Sequence, residues 1–167
     1  MTGLRRMSSG HRIPVPSLSL SNKWCIGVTV APDGWAWNRD FTSGSARIVS
    51  NYAGALANVI VLYADTACLK LLVGDSSGGV KLVTWTHSWT DSRTARLVGC
   101  NNGGTLSLYA DGVSVGTASG AGTGLHNATL SPLAIAAPVP GDAAFGFTGP
   151  VRNVKVYTST GTYRAGM

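Results

Sequence analysis

The chain contains neither glutamate nor glutamine, and all seven of its acidic residues are aspartate. It also has only four lysines. Because Glu, Gln and Lys are among the residues that favour helices, a helical domain would have to be built without them. Val, Thr, Ser and Gly, which are typical of strands and turns, take their place. The sequence therefore predicts an all-β protein, and its 167 residues suit a single domain.

Short runs of alternating apolar and polar residues recur along the chain, separated by turn residues. Such alternation is typical of strands with one buried face, and turns every 8–12 residues or so are typical of antiparallel sandwiches and barrels. Asp111-Gly112 is the strongest hairpin signal, and one candidate helix lies at 52–57. Strands are predicted at 24–30, 46–50, 59–64, 68–73, 81–89, 96–100, 106–109, 113–117, 130–136 and 151–157.

Positive charge is concentrated at the N-terminus. The formal net charge is +6, and the first 23 residues carry four cations and no acid. This indicates that the N-terminal segment meets an acidic partner surface or nucleic acid, or serves solubility alone. The remainder is close to neutral and shows no nucleic-acid-binding motif, which argues against a nucleic-acid partner. The four cations are Arg5, Arg6, Arg12 and Lys23.

Residues 1–22 are predicted to form an extended arm in front of a folded domain at 23–167. Pro14 and Pro16 prevent a helix and favour extended backbone. Leu18 and Leu20 alternate with serines, which is typical of an edge strand. An ordered arm of this kind is expected to be held by its own domain or by a neighbouring subunit.

Cys25, Cys68 and Cys100 lie far apart in apolar, strand-like runs. No CxxC pair and no histidine at zinc-binding spacing accompanies them, so neither a metal site nor a cofactor is predicted. We expect buried, reduced thiols, as in a protein made in a reducing cytoplasm. The sequence predicts no membrane span and no secretory signal.

The carboxylates argue against an enzyme. Glycosidases built on a β-sandwich use paired glutamates, and this chain has none. No two aspartates lie two or four residues apart, whereas retaining hydrolysis needs carboxyl groups ~5 Å from each other. The sequence therefore predicts no catalytic residues.

Four stretches resemble the laminin-G-like, concanavalin A-like jelly-roll family. They are WCIGVTVAPDG at 24–34, LKLLVGDSSGG at 69–79, GGTLSLYADGVSVGTAS at 103–119 and FGFTGPVRNVKVYTSTG at 145–161. The resemblance consists of turn and core positions, and it implies an antiparallel two-sheet β-sandwich. The chain departs from the family at DSRTARLVGC and at IAAP, and it shows no acidic calcium cluster. Asp111 is therefore expected to shape its turn and not to bind metal.

A loop rich in tryptophan is the candidate binding site. It combines Trp35 and Trp37 with Asn38, Arg39 and Asp40. Flat rings beside a few polar groups suit a saccharide, and Trp with Arg suits a protein hot spot. The alternative is that these rings cap the end of the core.

A second aromatic group follows in the chain. Trp85 and Trp89 lie on one predicted strand face with Val83. We expect this face to belong to the core, with His87 as a hydrogen-bonded spacer between the two rings.

Small domains of this resemblance with an N-terminal arm look like bacteriophage virion components. The resemblance implies a non-enzymatic capsid decoration protein, made in the host cytoplasm and located in the virion. Its expected partners are further copies of itself and neighbouring virion proteins, above all the major capsid protein. The arm residues expected to carry assembly are Arg5, Arg6, Arg12, Leu18 and Leu20. The alternative is a lectin or adhesion module that binds a glycan through the Trp35/Trp37 loop and needs no arm.

Overall fold

The computed structural model describes residues 5–7, 13–14, 20, 22–41, 44–52, 56, 59–76, 78–120, 134–135, 146–158 and 161–164. These residues contain strands and no helix, which confirms the all-β prediction. The strands are β1 (Arg5–Met7), β2 (Ile13–Pro14), β3 (Lys23–Val30), β4 (Ala46–Ser50), β5 (Ile60–Asp65), β6 (Cys68–Gly74), β7 (Val80–Thr86), β8 (Ala95–Asn102), β9 (Thr105–Ala110), β10 (Val113–Ala118), β11 (Ala134–Ile135), β12 (Gly149–Thr158) and β13 (Gly161–Arg164).

The strands form two sheets that pack face to face. Sheet A has the order β1-β12-β3-β8-β9-β10, with β13 also paired to β12. Sheet B has the order β2-β11-β4-β5-β6-β7. Every pairing between named strands is antiparallel, so the structure confirms the predicted two-sheet sandwich.

The core lies between the sheets and follows from the alternation in the sequence. Successive side chains of a strand point to opposite faces, so every second residue of β3 is buried. Leu69 and Leu71 of β6 come from sheet B, and Leu106 and Leu108 of β9 come from sheet A. The residues that alternate with them form the outer faces, and these positions are free to carry function.

Part of the predicted arm belongs to the sandwich. Arg5 of β1 lies opposite Val151 of β12, and Ile13 of β2 lies opposite Ile135 of β11. Leu20 is a core residue with 4% exposure, so it cannot grip a neighbour as the sequence suggested. Arg12 and Leu18 lie outside the described residues.

Two of the three cysteines form a disulfide. Cys25 of β3 and Cys100 of β8 lie directly opposite each other on the outer face of sheet A. The prediction of reduced thiols is therefore wrong for this pair, because residues 75 apart in sequence give no sign that their strands are neighbours. Cys68 is a free, half-buried thiol.

The predicted hairpin forms at Asp111-Gly112, which connects β9 to β10. Both residues have positive φ angles, 51° and 86°, as a tight two-residue hairpin turn requires. The carboxylate of Asp111 accepts the backbone N–H of Arg96 at 2.8 Å. The predicted role of Asp111 in its turn agrees with this geometry. At the candidate helix 52–57, Tyr52 is not helical and most of the remainder lies outside the described residues.

Candidate functional site

Trp37 is a core residue. Its side chain has 0% exposure, and its ring lies 5.7 Å from Trp89 and 6.1 Å from Phe147. The indole N–H donates to the carbonyl of Arg93 at 2.8 Å. Since neither face of this ring reaches solvent, Trp37 cannot stack on a glycan as the sequence hypothesis required. The structure instead shows the alternative, in which the ring of Trp37 caps the core.

The other residues of the tryptophan loop lie nearer to solvent. Trp35 is half-buried, and its indole N–H donates to the hydroxyl of Thr148 at 3.0 Å. Asn38, Arg39 and Asp40 are exposed. Asp40 accepts a hydrogen bond from Thr66 at 3.1 Å. A binding role for these exposed residues stays a prediction.

Trp85, His87 and Trp89 continue this aromatic cluster. The rings of Trp85 and Trp89 are in edge contact, with centroids 5.1 Å apart. His87 is buried, and its Nδ1 accepts the backbone N–H of Trp89 at 3.2 Å, as expected for a hydrogen-bonded spacer. Burial lowers the pKa of His87, and the nearby positive charge of Arg93 lowers it further.

This depressed pKa predicts a loss of stability in mild acid. The unfolded chain takes up a proton near the ordinary histidine pKa of about 6.5, whereas the folded chain resists protonation. The free energy of unfolding is therefore expected to fall as the pH drops below that value. Urea unfolding between about pH 8 and pH 5 measures the slope. Replacing His87 with glutamine should flatten it, and an unchanged slope would assign the effect to other groups.

A groove runs across the outer face of sheet A. Its floor is formed by β3 and β8, where the Cys25–Cys100 disulfide lies next to the pair Gly27 and Val98. Gly27 has no side chain, so the sheet surface is low at this point. The larger part of the groove has a volume of about 570 Å³, and a smaller part of about 290 Å³ adjoins it.

Two tyrosines flank the floor. Tyr157 of β12 is 37% exposed and borders both parts of the groove. Tyr109 of β9 is half-buried and borders the larger part. β3 and β8 lie between their strands, which separates the two backbones by ~14 Å at ordinary strand spacing. A chain of two or three sugar rings has dimensions of this order.

Polar groups complete the lining. Asn102, Thr105 and Ser107 offer amide and hydroxyl groups along the larger part. A β-bulge in β12 puts Asn153, with φ of 54°, on the smaller part. Bulges change the direction of a side chain in this way and recur near binding sites. The arrangement can present hydrogen-bond donors and acceptors beside two aromatic faces.

The outer face of sheet B has a smaller cleft of about 220 Å³. Arg47 lies in it with its guanidinium 4.7 Å from the ring of Tyr52. Its neighbour Lys70 forms an ion pair with Asp65. Because the rings and charges of this cleft are largely engaged with each other, it is the poorer candidate for a ligand.

The described residues offer no metal centre. No three His, Cys, Asp or Glu side chains among them come together as metal ligands would. The pattern Gly-x-Ser-x-Gly occurs at 74–78 and 112–116, but these serines lie in a hairpin turn and on β10 and not at a strand-to-helix elbow. The described part of the chain also contains no helix suited to crossing a membrane.

Two antiparallel sheets packed face to face define the fold as a concanavalin A-like jelly roll. The sequence profile of the concanavalin A-like lectin/glucanases superfamily matches residues 8–162. The chain belongs to this superfamily, which confirms the laminin-G-like resemblance. No curated protein matches the chain in sequence.

Solved structures share the fold at low sequence identity. Domains LG4-5 of the mouse laminin α1 chain match with a TM-score of 0.63 and 15% identity, over 98% of this chain and 42% of that one. The CBM40 module of the Ruminococcus gnavus IT-sialidase, bound to α2,3-sialyllactose, matches with a TM-score of 0.68 and 11% identity, over 89% and 85%. A SAP-like pentraxin from Limulus polyphemus matches with a TM-score of 0.61 and 15% identity, over 87% of this chain and 67% of that one. This chain thus spans less than half of the laminin fragment, and the likenesses establish the fold alone.

The groove was not predicted from the sequence. The residues that line the groove are the outward-facing residues of strands, whereas the alternation in the sequence indicated the inward-facing core. Tyr109 and Tyr157 were visible as rings at the ends of apolar runs. Only the pairing of β12, β3, β8 and β9, however, brings them to one face. A search for rings among the outward positions of each strand is the signal that could have found them.

Proposed function

We propose that this chain is a carbohydrate-binding recognition module without catalytic activity, and that it binds its glycan in the groove of sheet A. The observation that carries this proposal is the pair of tyrosines on either side of a low floor. Aromatic rings pack against the apolar faces of sugars, while a few fixed polar groups select the hydroxyl pattern. The groove combines both kinds of group on a rigid sheet.

The size of the groove supports the same ligand class. Binding sites for small molecules have volumes of about 300–1,000 Å³, and the larger part of this groove has about 570 Å³. Its floor is open at the surface, as suits the end or a short internal stretch of a longer glycan. The related fold of the sialyllactose-bound CBM40 module adds support from analogy, although no residue is carried over from it.

A binding module is preferred over an enzyme because the groove holds no acid–base pair. None of the described residues that line it is a carboxylate or a histidine. Hydrolysis of a glycosidic bond needs a proton donor and a second carboxylate in most glycosidase families. The groove can therefore hold a sugar and offers no group to cleave it.

The role in a virion stays a second prediction. It rests on the basic N-terminal segment, which would have to reach a neighbouring subunit. The backbone of Arg5–Met7 and of Ile13–Pro14 instead pairs with the sandwich of the same chain. This self-pairing favours the lectin alternative. Binding to phage particles by the intact chain and by the variant Arg5→Gln and Arg6→Gln, which keeps both N-terminal strands, would test the virion role.

The glycan proposal is tested by removing one ring from the groove. Replacing Tyr157 with alanine is expected to weaken binding of the best ligand on a glycan array by about 5- to 30-fold, or about 1–2 kcal/mol. Calorimetry gives the affinity, and thermal unfolding checks that the fold is intact.

The matched control is Tyr52→Ala, which removes a ring from the outer face of sheet B. That variant should bind as tightly as the parent. Full affinity in Tyr157→Ala, or an array on which no glycan binds, would refute the proposal.

A further inference from the structure

We infer that the groove of sheet A selects a glycan that carries negative charge, a carboxylated or sulfated saccharide. The inference rests on the proposed function and adds the chemical class of the ligand. It comes from the distribution of charged side chains around the groove.

The described residues that line the groove include three cations and no carboxylate, and the cations are Lys23, Arg96 and Lys155. Lys155 lies two residues before Tyr157 on the same outer face, and it pairs across the floor with Gly27. Its side chain can therefore reach over the hollow that the glycine leaves. Arg152 and Arg96 lie on either side of Thr29, in β12 and β8, and both are exposed. Their backbones are ~10 Å apart at ordinary strand spacing. Lys23 borders the opposite end of the larger part.

The carboxylates lie elsewhere in the described structure. Asp65 pairs with Lys70 on sheet B, and Asp91 pairs with Arg93 in the loop after β7. Asp111 bonds the backbone of Arg96 at the hairpin turn and does not border the groove. Among the described residues, no carboxylate forms an ion pair with Lys155, Arg96 or Arg152. The positive charge of Lys155, Arg96 and Arg152 is thus not neutralised by an ion pair with any described residue.

The excess of positive over negative side chains at the groove favours a negatively charged ligand. Like charges around a concave surface raise the local potential and attract the opposite charge. Lys155 is half-buried, so its ammonium group is less screened there than on an open surface. A carboxylate or sulfate beside it forms charge-assisted hydrogen bonds, which are about twice as strong as neutral ones. A neutral sugar makes the ring contacts without this gain.

A saccharide fits better than a nucleic acid. The two tyrosines are separated by the disulfide floor and do not form the continuous row of rings on which successive bases stack. Both polymers are anionic, however, so nucleic acid has to be an arm of the test. Single-stranded oligonucleotides of matched charge are the appropriate comparison.

The test compares matched acidic and neutral saccharides on the intact chain. α2,3-Sialyllactose is measured against lactose, and chondroitin sulfate oligosaccharides are measured against their desulfated forms. At least one acidic member is expected to bind about tenfold or more tightly than its neutral counterpart, with an affinity that falls as salt rises. A difference between sialyllactose and lactose indicates selection of a carboxylate, and a difference between the sulfated and desulfated oligosaccharides indicates selection of a sulfate.

Charge variants locate the effect. Lys155→Gln combined with Arg96→Gln should reduce the acidic preference, measured as the ratio of the two affinities, to about threefold or less. The control Lys81→Gln removes a cation from β7 of sheet B and should leave the preference intact.

Three outcomes overturn the inference. Equal binding of acidic and neutral members refutes the charge selection and leaves the proposed function standing. Binding to no saccharide of either kind removes both proposals. Oligonucleotide binding as tight as that of the best saccharide, lost in the Lys155→Gln and Arg96→Gln variant, replaces the glycan with nucleic acid.

Discussion

Replacement of Trp37 with alanine is expected to lower the free energy of unfolding by about 3–5 kcal/mol, the usual loss for a large buried aromatic side chain. The ring is fully buried among Trp35, Trp89 and Phe147, and its N–H satisfies the carbonyl of Arg93. The substitution leaves a cavity and an unpaired carbonyl. Thermal unfolding should show the loss, at roughly 2–4 °C for each kcal/mol in a chain of this size.

Trp37→Phe is the graded control. It keeps most of the side-chain volume but removes the five-membered ring with its N–H, so its loss should be smaller than that of the alanine variant. Glycan affinity, measured well below the unfolding temperature, should be unchanged in the phenylalanine variant. Unaltered stability together with lost binding would restore the original view of Trp37 as a ligand-stacking residue.

Removal of the Cys25–Cys100 disulfide is expected to cost about 2–5 kcal/mol of stability, as for other native disulfides. The two cysteines are 75 residues apart, so the bond closes a long loop in the unfolded chain. Its loss increases the entropy of the unfolded state, in the usual account of such bonds. The double variant Cys25→Ser and Cys100→Ser, compared with the parent in denaturant unfolding, measures the effect.

Cys68 supplies the control for this experiment. It is the half-buried thiol on β6 that takes no part in the disulfide. Cys68→Ser should retain the sensitivity of the parent to a reducing agent, while the double variant should lose that sensitivity. Equal stability of the parent with and without reductant would show that the bond does not hold the fold together in solution.

The strands were predictable because the two faces of each sheet differ chemically from each other. The run that begins at Trp24 becomes β3, and the Asp111-Gly112 turn connects β9 to β10 as expected. Alternation identifies a strand from local sequence alone. It does not reveal which strands pair, and so the disulfide between β3 and β8 could not be foreseen.

The binding loop was misjudged for a related reason. Tryptophan beside glycine, arginine and aspartate has the same composition whether the ring faces a ligand or the end of a core. Trp37 is buried because the loop folds back onto the segment after β7, where it bonds Asp91 and Arg93. Those residues are more than fifty positions away, so only the tertiary structure decides between the two interpretations.

The N-terminal segment shows the limit of charge as a guide. Its arginines and prolines predicted an extended arm, and extended backbone is what β1 and β2 have. Sequence cannot say whether an extended segment pairs with its own sheet or with a neighbour, because the hydrogen bonds are the same. Here Leu20 and the two short strands attach it to the sandwich.

β1 and β13 share one edge of β12. Arg5 pairs with Val151 and Arg164 pairs with Lys155, so the two strands run along the same edge only ~13 Å apart. We expect a short linker to be enough to join the two strands, and we expect the domain to tolerate grafting as a cassette into a surface loop of a host protein. Such a graft would place one attachment point beside β12, next to the side of the groove that Tyr157 forms.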